Sequence, residues 1–173
     1  AGLTLTAQVN NYANPVFAQT AGAGTLSGSG QAFTLDFGTL TLGGPSLAAT
    51  LAVLNDVLGP ADLLDGTFDL SLAGVFGLSG FADFLDLAAG GDAGGLNISF
   101  APGALGLFSG TITLNALGHN ASGFQQVFDP IVLTLLANVR DGGTPVPEPG
   151  ALLLFASALA ALGVVRRGRR LAA

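Results

Sequence analysis

Apolar residues recur at every second position along much of residues 1–140, the period that returns strand side chains to one face of a sheet. Leu3, Leu5, Ala7 and Val9 form one such run, and Phe33, Leu35 and Phe37 form another around Thr34 and Asp36. Phe68, Leu70 and Leu72 alternate with Asp69 and Ser71. The pattern continues in Leu96/Ile98/Phe100, in Ile112/Leu114/Ala116 and in Ile131/Leu133/Leu135/Ala137/Val139. Gly43-Gly44-Pro45 and Ala101-Pro102-Gly103 fill gaps with turn formers. About six to eight short strands, apolar inward and Thr or Ser outward, predict a mainly β fold, an antiparallel β-sandwich over 1–140. Leu47 to Leu58 lacks clean alternation and reads as either a strand or a short helix. Asn115 to Val139 reads as a loop and a final strand.

A different pattern closes the chain. Residues 141–149, Asp-Gly-Gly-Thr-Pro-Val-Pro-Glu-Pro, form a Gly/Pro linker that neither extends a strand nor opens a helix before Gly150. Residues 150–165 are uncharged and apolar, which predicts a single C-terminal transmembrane helix of about 24 Å at 1.5 Å per residue. Snorkelling arginines would make up the rest of a hydrocarbon core about 30 Å thick. Residues 166–173 form a basic cytoplasmic tail, in which Arg166, Arg167, Arg169 and Arg170 orient the span by the positive-inside rule. The order Val146-Pro147-Glu148-Pro149, apolar span, arginine cluster resembles the PEP-CTERM sorting signal of exosortase substrates. That resemblance implies recognition of Pro147, Glu148 and Pro149 by an integral-membrane exosortase, with cleavage nearby. It also implies export from a Gram-negative bacterium, transient anchoring in the inner membrane, and delivery to the cell surface or extracellular matrix.

A second, shorter resemblance lies upstream. Ile98-Ser99-Phe100-Ala101-Pro102, followed by Phe108-Ser109-Gly110 and the Thr-rich Thr111 to Leu114, resembles the end of bacterial immunoglobulin-like, choice-of-anchor type domains. It implies that the sandwich is immunoglobulin-like.

Composition narrows the chemistry. Half of the residues are hydrophobic and only 9% are charged, so Thr, Ser, Asn, Gln and Gly must cover the solvated face, as in many extracellular β proteins. The 27 glycines carry no Gly-X-Y period, which excludes collagen. With no Cys and no Lys, thiol chemistry, Cys-based zinc cages and lysine Schiff bases are excluded. Upstream of the arginine cluster Arg140 stands alone against eleven acids, which excludes nucleic acid as a partner. The start without Met, already in strand-like sequence, predicts a processed chain or a fragment, with a signal peptide out of view.

Candidate catalytic residues are absent from this reading, and no enzyme activity or cofactor is expected. His119, the single imidazole, lies in Gly118-His119-Asn120-Ala121-Ser122 and reads as a solvated loop residue. No Gly-x-Ser-x-Gly elbow is present to partner it. Six of the ten aspartates form two groups, Asp62/Asp65/Asp69 around Gly66 and Asp83/Asp86/Asp92. Neither matches an EF-hand or a Gly-Gly-x-Gly-x-Asp repeat, so the expected metal is none, with Asp62, Asp65 and Asp69 as weak calcium candidates. The expected function is that of a structural or adhesive protein of the surface or exopolysaccharide matrix. The alternative is a carbohydrate-binding module of that matrix, with extracellular polysaccharide as the partner. Against it, sugar platforms favour Trp and Tyr, and Tyr12 is the one such residue.

Overall fold

Alternating apolar and polar residues become half-buried strands only where a neighbour supplies a ladder, and the neighbours here form two sheets. The computed structural model describes residues 2–143, so the expected span at 150–165 and the tail at 166–173 lie outside the described residues. The strands are β1 (Pro15–Gly22), β2 (Thr25–Ser29), β3 (Ala32–Thr41), β4 (Leu47–Asn55), β5 (Leu63–Asp69) and β6 (Gly77–Ser79). They continue with β7 (Phe84–Leu87), β8 (Asp92–Phe100), β9 (Gly106–His119), β10 (Gln125–Val127) and β11 (Ile131–Arg140). One sheet has the order β1-β4-β8-β6; the other runs β2-β3-β11-β9-β5-β7, with β10 added to β9.

The fold is therefore a mainly β sandwich, antiparallel except at one ladder. β11 pairs parallel with β3, Leu133 opposite Phe33 and Leu135 opposite Leu35, and antiparallel with β9 on its other side. This corrects the wholly antiparallel expectation. The last strand of the body enters between two strands already laid down, and its direction matches one of them.

A single core lies between the inner faces. β3 contributes Phe33, Leu35 and Phe37, and β11 contributes Ile131, Leu133, Leu135, Ala137 and Val139, all buried. Ile112 and Leu114 of β9 face Leu51 and Val53 of β4 and Leu96 and Ile98 of β8 in the same cluster. Phe37, Phe76, Phe100 and Phe108 form a chain of ring contacts, with centroids 5.1 Å apart for Phe76–Phe100 and 5.2 Å for Phe100–Phe108. With no cysteine to cross-link it, the body depends on this burial, about 1.5–3 kcal/mol for each fully enclosed large side chain.

Four local readings are settled or changed. Residues 47–55 form the strand β4, not a helix. Their alternation is blurred because Leu51, Ala52 and Val53 are all fully buried, with the register against β8 slipping between Leu51 and Val53. Leu3, Leu5 and Val9 lie outside any strand and are almost fully exposed, since no ladder receives the N-terminal run. The Phe68/Leu70/Leu72 run shifts as well: β5 starts at Leu63 and ends at Asp69, leaving Leu72 exposed in the turn that follows. Finally, β9 continues through His119, into the stretch expected to be loop.

Candidate functional site

One end of the sandwich gathers the polar residues of the body. Asn55, fully buried at the end of β4, donates from Nδ2 to the carbonyls of Asp62 and Leu87, both at 3.0 Å. Its Oδ1 accepts the Asn14 backbone N–H at 2.9 Å. One amide thus ties residues 14, 62 and 87 together, and no buried side-chain polar atom lacks a partner among the described residues. Asp62 is the other buried polar side chain; its Oδ1 accepts Nδ2 of Asn120 at 2.7 Å and Nδ2 of Asn10 at 3.2 Å. The peptide between Gly59 and Pro60 is cis.

The three weak calcium candidates do not form one site. Asp62 is committed to its two asparagines. Asp69, at the end of β5, accepts the Ser71 backbone N–H at 2.9 Å. That bond first, then one from the Ser71 hydroxyl, holds its carboxyl below the ordinary carboxylate value. Asp65 faces elsewhere, and its neighbours come from two distant segments.

His119 Nε2 lies 3.2 Å from Asp65 Oδ1 and 3.4 Å from Asp86 Oδ1. The sheet produces this convergence. Leu63 pairs with His119 and Asp65 with Leu117, so Asp65 and His119 are diagonal neighbours on the outer face of β5 and β9. On the far side of β5 lies β7, whose register slips between the Leu64–Leu87 and Gly66–Phe84 pairs. Asp86 sits in that slip with φ of 56°, the left-handed region that few residues other than glycine occupy. Irregularities of this kind re-aim a side chain. Here the Asp86 N–H donates to Asp65 Oδ1 at 2.8 Å while its own carboxylate reaches the imidazole. His119 is only 23% exposed at its side chain, which corrects the solvated-loop expectation.

Along the sequence Asp65 and Asp86 belong to separate groups, and His119 lies apart from both. Only its being the single imidazole in an acid-rich chain marked it. The three donor atoms lie within 4.8 Å of one another and can hold a small cation. Side-chain partners of the imidazole among the described residues are two carboxylates, so no hydroxyl stands ready for it to activate.

Beside this end, Tyr12 and Phe124 stack with centroids 5.6 Å apart, Tyr12 62% and Phe124 38% exposed. A separate cavity of about 550 Å³ opens where β3 and β11 change register, lined by Asp36, Leu107, Phe108, Leu136, Ala137 and Asn138 among others. Pro147, Glu148, Pro149, Arg166, Arg167, Arg169 and Arg170 lie outside the described residues.

Those residues fall within a sequence match. Residues 145–170 match the family model of the PEP-CTERM protein-sorting motif. The chain thus carries the sorting signal of an exported protein, and the motif implies recognition by an exosortase. The described body has a β-sandwich fold similar to the ASH / PapD-like domain of human CEP192 (PapD-like domain 7). The two are 10% identical, with a TM-score of 0.49 over 83% of this chain and 96% of that one. No curated protein matches the sequence.

Proposed function

We propose that the chain is a structural or adhesive protein of a bacterial cell surface or exopolysaccharide matrix, with an immunoglobulin-like sandwich as the part displayed. The observation that carries this reading is the sorting motif at residues 145–170. The apolar run 150–165 acts as a transmembrane helix that stalls the exported chain in the inner membrane of a Gram-negative cell. The arginines keep its end cytoplasmic, and exosortase cuts near Pro147, Glu148 and Pro149 to free the sandwich of residues 1–140 together with the linker that follows it. The uncharged polar outer faces of the strands support a role at the surface, and no catalysis is assigned to the body. In an exosortase-bearing host the wild-type chain is expected to lose its tail. A variant with Pro147, Glu148 and Pro149 all replaced by Ala is expected to keep it, as read by intact mass, and equal retention in both would overturn the sorting step.

The exposed Tyr12–Phe124 stack favours a second reading, binding of extracellular polysaccharide, because sugar rings pack on aromatic faces. On a glycan array this reading expects binding that Tyr12→Ala weakens about tenfold, or about 1.4 kcal/mol. A blank array leaves the structural role alone.

A further inference from the structure

The geometry points to a divalent transition-metal site on the outer face of the seven-stranded sheet, formed by Asp65, Asp86 and His119, with zinc as the reference ion. Three strands supply one donor each: Asp65 from β5, Asp86 from β7 and His119 from the end of β9. Zinc binds imidazole nitrogen and carboxylate oxygen at about 2.0–2.2 Å, and a tetrahedron of such bonds has edges of about 3.3–3.5 Å. The two nitrogen-to-oxygen separations, 3.2 and 3.4 Å, lie close to those edges.

The donor set decides the class of ion. Calcium takes oxygen ligands, six to eight of them, whereas an imidazole with two carboxylates suits zinc and its first-row neighbours. Local charge points the same way. A single hydrogen on Nε2 can serve only one carboxylate well, and two acidic side chains converge on that atom. Arg140 is the only Lys or Arg among the described residues, and no ion pair there involves it. A divalent ion would bond all three donors and neutralise both carboxylates. Asp86 is 70% exposed at its side chain, so the fourth position opens to solvent.

The position of Asp86 is supported by its own backbone. Its N–H is fixed on Asp65 Oδ1, the same oxygen that lies 3.2 Å from the imidazole Nε2 and that keeps a second lone pair for a cation, while Oδ1 of Asp86 lies 3.4 Å from that nitrogen. This arrangement differs from the weak calcium reading, which grouped Asp65 with Asp62 and Asp69. It depends on neither the sorting step nor sugar binding.

The test uses the full chain in mild detergent, stripped with EDTA and titrated with zinc chloride alone, by calorimetry and by NMR of the single imidazole. The expected result is one zinc per chain, with the His119 ring resonances shifting in step and calcium chloride failing to compete. His119→Gln and Asp86→Asn, each checked for an unchanged circular-dichroism spectrum, are expected to weaken zinc at least tenfold. Asp86→Asn alters an exposed side chain and keeps the test decisive if His119→Gln does not fold. Zinc binding that survives either folded variant unchanged overturns the proposal, as does the absence of binding up to about millimolar zinc or binding that leaves the imidazole resonances in place.

Discussion

Single side chains at the polar end of the sandwich do work that their neighbours in sequence do not reveal. Asn55 closes a strand of Leu, Ala and Val, and nothing in that run marks it as the residue whose amide bonds the segments around residues 14, 62 and 87. Asp69 was visible as an acid in the sequence but not as a turn residue, because its partner Ser71 was assigned to the same strand. Its lowered carboxyl has a consequence with a definite sign. A group whose folded pKa lies below its unfolded value stabilises the fold above the unfolded value, and that contribution is lost as pH falls through the folded one. Asp69 is therefore expected to titrate, by carboxyl-detected NMR, below the ordinary 3.8. Ser71→Ala, which removes the hydroxyl but keeps the N–H, is expected to move the midpoint only part of the way back; an unshifted midpoint would mean the hydroxyl contributes nothing.

Strands with one wet face throughout were legible, and those locally covered on the outer face or interrupted were not. The cores of β3, β8, β9 and β11 fall where period-two alternation placed them, because each has one face on the core and one toward solvent. β4 escaped that rule, lying between β1 and β8 with three consecutive buried residues. The N-terminal run shows the opposite failure, since alternation without a partner strand forms no ladder. The metal-site candidate was illegible for a related reason. Residues 65, 86 and 119 meet only through the β5–β9 register and the slip in β7, neither of which leaves a sequence motif. Element packing also gives glycine a specific place on β9. A Cβ at Gly110 would run into the carbonyl of Ala73, whose segment lies directly over the strand. Gly110→Ala is therefore expected to destabilise the body by about 1–3 kcal/mol, the usual range for overpacking a filled interior. Urea unfolding should show this as a lower midpoint, and an unchanged midpoint would mean that the 70–76 segment moves aside freely.

At the scale of the whole chain, the sequence divides by kind of information. The C-terminal signal was readable as an ordered grammar of short motifs, since Pro-Glu-Pro, the apolar run and the arginines each carry their meaning locally. The sandwich was readable only as a class, because its sheet order depends on contacts between residues far apart in the chain. Strand β11 is where the two meet, since it ends at Arg140, just before the linker. It is held on one side by β3 and on the other by β9, near the middle of the larger sheet. A pull delivered through the C-terminus along that strand would have to slide it past both neighbours, loading two rows of hydrogen bonds in shear at once. A strand at the sheet's edge would give up only one row, so the domain meets traction at its most strongly stitched seam.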